Sequence, residues 1–258
     1  MKKYRFVFAT PSWNNEIHTE KCLVSMLSQQ SSHEFRIIFV DDASTDKTME
    51  VAKTVVQKYN AKDKVTFVEN ARRRGPVANL YSIIHLCDPG EIIVCLDGDD
   101  YLPHNSVLER VAKEYDKGVL TTYGSLERTS GHPTTVIHRC PDDIISERSY
   151  RDNLYYWSAL RTHYAGLAQK INIQDLCDEN GLFLPATSDQ ATMFPILEMA
   201  GQNQECILDV LYSYNDESPM NDFRANAKIQ IDCENYVRKL PKYSELSVQE
   251  KNKIMSYK

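Results

Sequence analysis

Glu91-Ile92-Ile93-Val94-Cys95-Leu96-Asp97-Gly98-Asp99-Asp100 is the stretch on which the reading of this chain turns. Its first part, EIIVCL, reads as a buried β-strand, an apolar run with β-branched residues at its centre. The strand delivers Asp97, and three carboxylates then fall within four residues. Carboxylates crowded in this way repel one another and ionise together only when a cation or hydrogen-bond donors compensate. Hard oxygen ligands of this kind suit Mg2+ or Mn2+, which usually take one or two carboxylates plus substrate phosphates. Gly98 removes side-chain bulk where a ligand would approach. A solvated acidic turn is the bland alternative, and the buried strand leading into the cluster weighs against it.

Upstream, strand and helix signals alternate. Tyr4 to Thr10 reads as a buried strand that ends in a loop at Pro11-Ser12-Trp13-Asn14-Asn15, and Cys22, Leu23, Met26 and Leu27 then recur at helical spacing. Phe35 to Val40 is a second strand running into Asp41-Asp42. Met49, Ala52, Val56 and Tyr59 mark a second helix, with Ser44, Thr45 or Asp46 as its cap. Val65 to Glu69 is a third strand, and Pro76 suits the first turn of a third helix carrying Val77, Leu80, Ile84 and Cys87. Beyond the acidic cluster, Ser106-x-x-Glu109 has the form of a capping box ahead of Val107, Leu108, Val111 and Tyr115.

This alternation predicts an α/β fold, a Rossmann-like, mostly parallel sheet flanked by helices. Ligands of such sheets bind beyond the carboxyl ends of the strands. The polar signals at Pro11 to Glu16, Asp41-Asp42 and Asp97 to Asp100 all fall there. From about Gly118 the alternation weakens into short strands, a polar stretch near Asp142-Asp143 and the aromatic segment Tyr155-Tyr156-Trp157. Without an internal repeat or a low-complexity linker, the second half reads as an elaboration packed on the first.

Composition bounds the partners. The 258 residues suffice for one large domain or two small ones. With 42% hydrophobic and 26% charged residues the chain has the balance of a globular protein. The net charge of −6 does not favour a nucleic-acid partner. No signal-peptide core follows the briefly basic start, and no run approaches the ~20 apolar residues of a membrane span. Cytoplasmic residence is the expectation. Cys22, Cys87, Cys95, Cys140, Cys177, Cys206 and Cys233 are scattered without a Cys-x-x-Cys pair, which points to buried reduced thiols and disfavours zinc.

Two further clusters bear on chemistry. In Asp41-Asp42-Ala43-Ser44-Thr45-Asp46 one aspartate can cap the following helix, while a second carboxylate at the strand end can accept a hydrogen bond from a nucleobase N–H. Arg72-Arg73-Arg74-Gly75 opens the third helix, where a basic run opposes the helix dipole. An anion there would resolve the conflict, and a diphosphate fits.

The combination of Thr10-Pro11-Ser12-Trp13-Asn14, Val40-Asp41-Asp42-Ala43-Ser44-Thr45-Asp46, Gly75-x-x-x-Asn79 and Leu96-Asp97-Gly98-Asp99-Asp100-Tyr101-Leu102-Pro103 resembles family 2 of the glycosyltransferases. Each motif alone is weak; in the family's order and spacing they are strong, and they cover roughly Tyr4 to Pro103. The resemblance implies a GT-A-type single domain with a mixed sheet. Residues 1–105 would be the nucleotide-sugar-binding half, 106–215 the acceptor-binding and catalytic half, and 216–258 a helical tail. It further implies a nucleotide-sugar donor, in our reading a UDP-sugar, and inverting transfer to a glycan or other hydroxyl acceptor. Carried over by residue, Pro11 and Trp13 would border the nucleobase, and Asp41 and Asp42 match the pair that holds uracil and ribose. Arg73 or Arg74 and Asn79 would contact the donor. Asp97 and Asp99 match the Asp-x-Asp metal motif, with Asp99 the direct ligand and Asp100 the neighbouring carboxylate.

The family's base is a carboxylate in the second half, ahead of a helix. Thr187-Ser188-Asp189-Gln190 precedes Met193, Ile196, Leu197 and Met199 at helical spacing, so Asp189 is the candidate, although Ser188 replaces the common glutamate. A helix cap is its plainer role. Trp157, Arg161 and His163 are acceptor-site candidates, since aromatic faces stack on sugars and Arg or His bind hydroxyls; an amphipathic helix with a buried tryptophan is the alternative. The Gln-x-x-Arg-Trp element of processive synthases is missing, which disfavours a polymer-extruding synthase. Two rivals stay open: a sugar nucleotidyltransferase, whose Gly-rich loop after the first strand is missing here, and a catalytically silent nucleotide-sugar-binding relative.

Overall fold

A computed structural model of the chain describes residues 2–132, 138–217 and 227–257. The first strand, β1 (Arg5–Ser12), continues past the apolar run, because Pro11 and Ser12 stay in the ladder opposite Val40 and Asp41 of β2 (Glu34–Asp41). Between them α1 (Glu16–Leu27) buries Thr19, Cys22, Leu23 and Met26, the i, i+3, i+4, i+7 stripe of an amphipathic helix. The helix α2 (Thr48–Lys58) buries Ala52, Val55 and Val56 and leads to β3 (Val65–Glu69). The N-cap position of α2 is Lys47 and not one of the residues expected, although Asp46 Oδ1, one residue earlier, accepts from Thr48 N at 2.9 Å.

Gly75, at φ 86°, turns the chain into α3 (Pro76–His85). An added Cβ would meet nothing within 4 Å there, so conformation rather than crowding selects glycine. Pro76 then occupies the first helical position, where its missing N–H costs nothing. The strand β4 (Ile92–Cys95) follows, and then α4 (Val107–Tyr115). The capping box expected at its start does not form. Ser106 makes no cap, and Glu109 Oε1 instead accepts from Ser31 Oγ at 3.2 Å and Ser32 N at 2.5 Å.

The second half adds β5 (Thr121–Arg128), α5 (Asp142–Glu147), β6 (Arg161–Tyr164), α6 (Ala165–Ala168), α7 (Ser188–Ala200) and β7 (Gln204–Tyr214). One sheet runs through both halves in the order β3-β2-β1-β4-β6-β5-β7. Neighbours pair in parallel except β6, which lies antiparallel between β4 and β5. The stretch from Trp157 to His163 therefore ends in a strand and not in an amphipathic helix. Pairing of β5 with β7 is broken by register shifts at Gly124/Ser125 and Ser125/Leu126. Such bulges bend a strand, and the far end of β7 lies against the Asp97–Tyr101 segment.

The core spans both halves and is dense in aromatic and β-branched side chains; full burial of Phe6, Phe8, Phe39 or Phe194 stabilises by about 1.5–3 kcal/mol each. Nearly every residue of α7 is buried, so it is a central helix without a solvent stripe. A bidentate pair anchors it, Arg151 Nε to Glu198 Oε1 at 2.6 Å and Arg151 Nη2 to Glu198 Oε2 at 2.9 Å. The tail holds α8 (Ala227–Lys239) and α9 (Val248–Ser256), the latter opened by a Ser247–Glu250 capping box. Arg151 Nη1 donates to Val237 O at 2.6 Å, and Lys251 Nζ to Ala200 O at 2.8 Å, which ties both tail helices to the body. The seven cysteines are free, all but Cys95 buried. Among the described residues no helix is long and apolar enough to cross a membrane.

Candidate active site

A cleft of about 400 Å³ opens at the carboxyl ends of β1, β2 and β4. Its lining includes Pro11 and Trp13 from the end of β1, Asp42 after β2, Asn79 of α3, Asp97 to Asp100 after β4, Arg161 of β6 and Asp189 of α7. Parallel strands put Trp13, Asp42 and the Asp97–Asp100 cluster on one rim, and Arg161 and Asp189 meet them there from β6 and α7.

The acidic cluster is not uniform. Asp97 is exposed, Asp99 half-buried and Asp100 almost wholly buried. Asp100 Oδ1 accepts from Asn215 N at 2.7 Å, and its Oδ2 accepts a short hydrogen bond from the Tyr212 hydroxyl. Burial, together with the charges of Asp99 and Asp97, pushes the Asp100 carboxyl well above its ordinary range, against the pull of those two donors. Gly98 has a structural reason that corrects the expectation of ligand approach. An added Cβ would lie 2.4 Å from Ser12 Oγ and 3.0 Å from Pro11 O, so it is β1 that comes close, and Gly98 N donates to Pro11 O at 3.0 Å.

Asp41 and Asp42 separate in role. Asp42 lines the cleft, yet both its oxygens hold backbone: Oδ1 accepts from Arg74 N and Oδ2 from Gly75 N, each at 2.8 Å. Asp42 is thus the anion at the start of α3, where a diphosphate was expected to answer the helix dipole. Asp41 lies outside the cleft lining; its Oδ2 accepts from Ser44 N at 3.2 Å and its Oδ1 is buried. The arginines also divide. The Arg73 guanidinium stacks 3.4 Å over the Trp13 ring at the cleft mouth, whereas Arg74 runs along α3 to Ser82 Oγ at 3.2 Å and does not line the cleft. Asn79 Oδ1 accepts from Asn70 Nδ2 at 2.8 Å, and the same amide donates to Asp42 at 2.8 Å.

In the second half, Asp189 stands in the first turn of α7 with Oδ2 3.7 Å from Arg161 Nη1. The plainer role as helix cap is not taken: the N-cap is Thr187, at φ 64°. Burial works against the Arg161 charge, but Tyr155, Asp189, Cys95 and Asp97 outweigh it and raise the guanidinium pKa further. Of the acceptor candidates only Arg161 reaches the cleft. Trp157 is fully buried against Tyr150 and Phe194, its Nε1 donating to Gln204 Oε1 at 3.2 Å. His163 is fully buried on β6, and burial with the nearby Arg161 charge pulls its pKa down to about 4 despite its bond to Tyr164 O. Neither side chain is available to an acceptor in this arrangement.

The profile of Glycosyl transferase family 2 matches residues 8–185. The chain belongs to this family. A poly(ribitol-phosphate) beta-glucosyltransferase of Bacillus spizizenii is 30% identical over 124 residues, 47% of this chain and 19% of the relative. TarS, a poly(ribitol-phosphate) beta-N-acetylglucosaminyltransferase of Staphylococcus aureus, is 26% identical over 109 residues, 42% of this chain and 18% of the relative. The matches thus span about a fifth of these relatives' length. Among solved structures, S. aureus TarS 1–349 in complex with UDP-GlcNAc superposes with a TM-score of 0.65 at 18% identity, covering 99% of this chain and 71% of that one. Glucosyl-3-phosphoglycerate synthase of Mycobacterium tuberculosis, with Mn2+, UDP and phosphoglyceric acid, gives 0.60 at 14% identity over 93% and 80%. The fold is therefore that of the GT-A glycosyltransferases.

Within this family 2 chain the carboxylates fit a divalent ion that is completed by substrate. Among the described residues no group of three or more His, Cys, Asp or Glu side chains is placed to hold a metal alone. Two aspartates opening into a cleft are what Mg2+ or Mn2+ needs when phosphate oxygens supply further ligands. The sequence reading missed Tyr212, Tyr214 and Gln230, which also line the cleft. The two tyrosines carry a weak signal, the period-two spacing of a strand whose one face meets a site. Gln230 carries none, since nothing local distinguishes it within a polar tail.

Proposed function

We propose that the protein is an inverting, metal-dependent glycosyltransferase that moves a sugar from a UDP-sugar to a hydroxyl of a glycan or other acceptor. The observation that carries this reading is that Asp97 and Asp99, at the end of β4, share one cleft with Asp189, at the start of α7. That pairing supplies a phosphate-side metal site and a separate carboxylate for the acceptor. The solved relatives bound to UDP, UDP-GlcNAc, Mn2+ or Mg2+ support it by analogy of fold.

Asp99, with Asp97, would hold the ion, and when bound it neutralises charge on the departing diphosphate. Trp13, Asp42, Asn79 and Arg73 border the nucleoside and diphosphate, with Asp41 bracing the Asp42 turn from behind. Asp189 accepts the proton of the acceptor hydroxyl as that oxygen bonds to the anomeric carbon. The bond from that carbon to the diphosphate oxygen breaks on the opposite face, and UDP leaves with the electron pair. Arg161 orients the Asp189 carboxylate.

Asp99→Ala tests the donor side. Calorimetry with UDP and Mn2+ should show the metal-dependent part of nucleotide affinity abolished while thermal unfolding is unchanged. Equal affinity in the variant would remove Asp99 from the metal site. UDP release from a UDP-sugar panel, with and without Mn2+, separates transfer from a silent binding module, and pyrophosphate release from UTP and a sugar-1-phosphate in a parallel assay would point to a nucleotidyltransferase. Retention of the anomeric configuration would defeat the inverting step.

A further inference from the structure

We infer that Tyr212 is a positioning residue for the metal-binding aspartates, acting from the last strand of the sheet. This rests on the proposed metal role of Asp97 and Asp99. Tyr212 is 2% exposed and lies in β7, at the far edge of the sheet from β3. Its hydroxyl makes the short bond to Asp100 Oδ2, accepts from Asp97 N at 3.4 Å and stands 3.5 Å from Asp97 Oδ2. One phenol therefore touches both ends of the Asp97–Asp100 turn.

The contact is built into a seam and is not a chance approach. Tyr101, next to the cluster, forms a reciprocal antiparallel bridge with Ser213, N to O distances being 3.2 and 2.9 Å. Asn215 N then takes the other oxygen of Asp100 at 2.7 Å. Tyr212, Ser213 and Asn215 thus grip the turn at consecutive points, and the bulges between β5 and β7 bend the strand to reach it. The buried Asp100 has one oxygen engaged by β7 and the other by Asn215 just beyond it, so it serves as the anchor of the turn. Exposed Asp97 is held by the same hydroxyl and presented to the cleft. Outer partners of metal ligands fix ligand orientation, and their loss typically weakens metal affinity by about 10–100-fold.

Tyr212→Phe keeps the ring and removes only the hydroxyl. Mn2+ binding, followed by electron paramagnetic resonance with UDP as co-ligand, should weaken by about 10–100-fold. UDP binding without metal should stay within about threefold of wild type. If wild type binds Mn2+ and Tyr212→Phe binds it equally well, with only its thermal stability lowered, the tyrosine is a packing residue and the inference fails alone. If wild type binds no Mn2+ even with UDP, the metal reading falls and takes this inference with it. Should Tyr212→Phe not fold, Tyr212→Phe/Asp100→Asn removes the charge left without its donor. Compared with Asp100→Asn alone, the double variant should show a further, smaller loss of Mn2+ affinity through the lost Asp97 contact; equal affinity would overturn the assignment.

Discussion

The two halves of the sheet bring residues to the cleft by different means. In the β1–β4 half the strand ends themselves deliver most of the site: Trp13 after β1, Asp42 after β2, Asp97 and Asp99 after β4, with Arg73 and Asn79 added around the start of α3. In the other half Arg161 opens a strand that runs the opposite way, Asp189 opens a buried helix, Tyr212 lies within β7, and Gln230 comes from the tail helix α8. Repeated parallel β-α units make site position a local property of sequence. An antiparallel insertion, a bulged edge strand and a docked tail make it a property of the finished fold. The β1–β4 wall of the cleft is thus written in short motifs, the opposite wall in long-range contacts.

Asp189→Asn bears hardest on that contrast, because Asp189 is the one second-half residue proposed to do chemistry. General-base catalysis contributes ~10²–10⁴-fold, and transfer should fall by that factor while metal-dependent UDP binding is kept. The variant keeps the side chain's size, and Thr187 remains the cap, so the start of α7 should persist. Turnover within a few-fold of wild type, measured by UDP release with acceptor present, would move the base elsewhere in the cleft.

How far the sequence could be read follows the same line. Strand periodicity, Pro76 after Gly75 and the acidic run behind EIIVCL placed the four parallel strands and the residues at their ends, since each depends on neighbours in sequence. The reading went astray where a tertiary partner overrode a local one. Glu109 left Ser106 for the Ser31–Ser32 turn, and both Asp42 oxygens hold the Arg74 and Gly75 amides just ahead of α3. Trp157 and His163 have the chemistry of sugar contacts but were claimed by the core, His163 because β6 threads between β4 and β5, and Trp157 because it packs against Tyr150 and Phe194 ahead of that strand. No periodicity in a four-residue strand announces that.

A second prediction concerns what fixes α7, which carries Asp189 at its start. Arg151 and Glu198 are both almost wholly buried, and Glu198 Oε2 also accepts from Tyr243 N at 2.9 Å. Removing one partner of a buried pair costs about 3–5 kcal/mol, since the other charge is left without compensation. Arg151→Ala should lose that much stability in urea unfolding, and Arg151→Met/Glu198→Leu should recover most of it. UDP binding by the folded fraction should be unaffected, because no residue of the pair lines the cleft. A loss under about 1 kcal/mol would mean that packing, not the pair, docks α7 to the tail.

The smallest effect lies at the seam between the halves. His163 sits on β6 with Ile93 of β4 opposite on one side and Thr121 of β5 on the other. Its Nδ1 lies 3.2 Å from Tyr164 O, and its Nε2 is buried without a partner, so the folded site resists a second ring proton. Its pKa falls from the ordinary 6.5 to about 4, with burial the main cause and Arg161 adding repulsion. Above pH 6.5 the ring is neutral in both states and contributes no pH dependence. Below it the unfolded chain takes up a proton that the folded chain refuses, so stability falls with pH until the folded ring also titrates, at about 4. The full loss is about 3 kcal/mol, at ~1.4 kcal/mol per pH unit. His163→Phe should flatten the stability curve between pH 6.5 and 4 by that amount relative to wild type, whatever its baseline stability at neutral pH. Parallel curves for the two proteins in urea unfolding across this range would show that His163 accepts its proton in the folded state, and that the seam between the halves admits a charge.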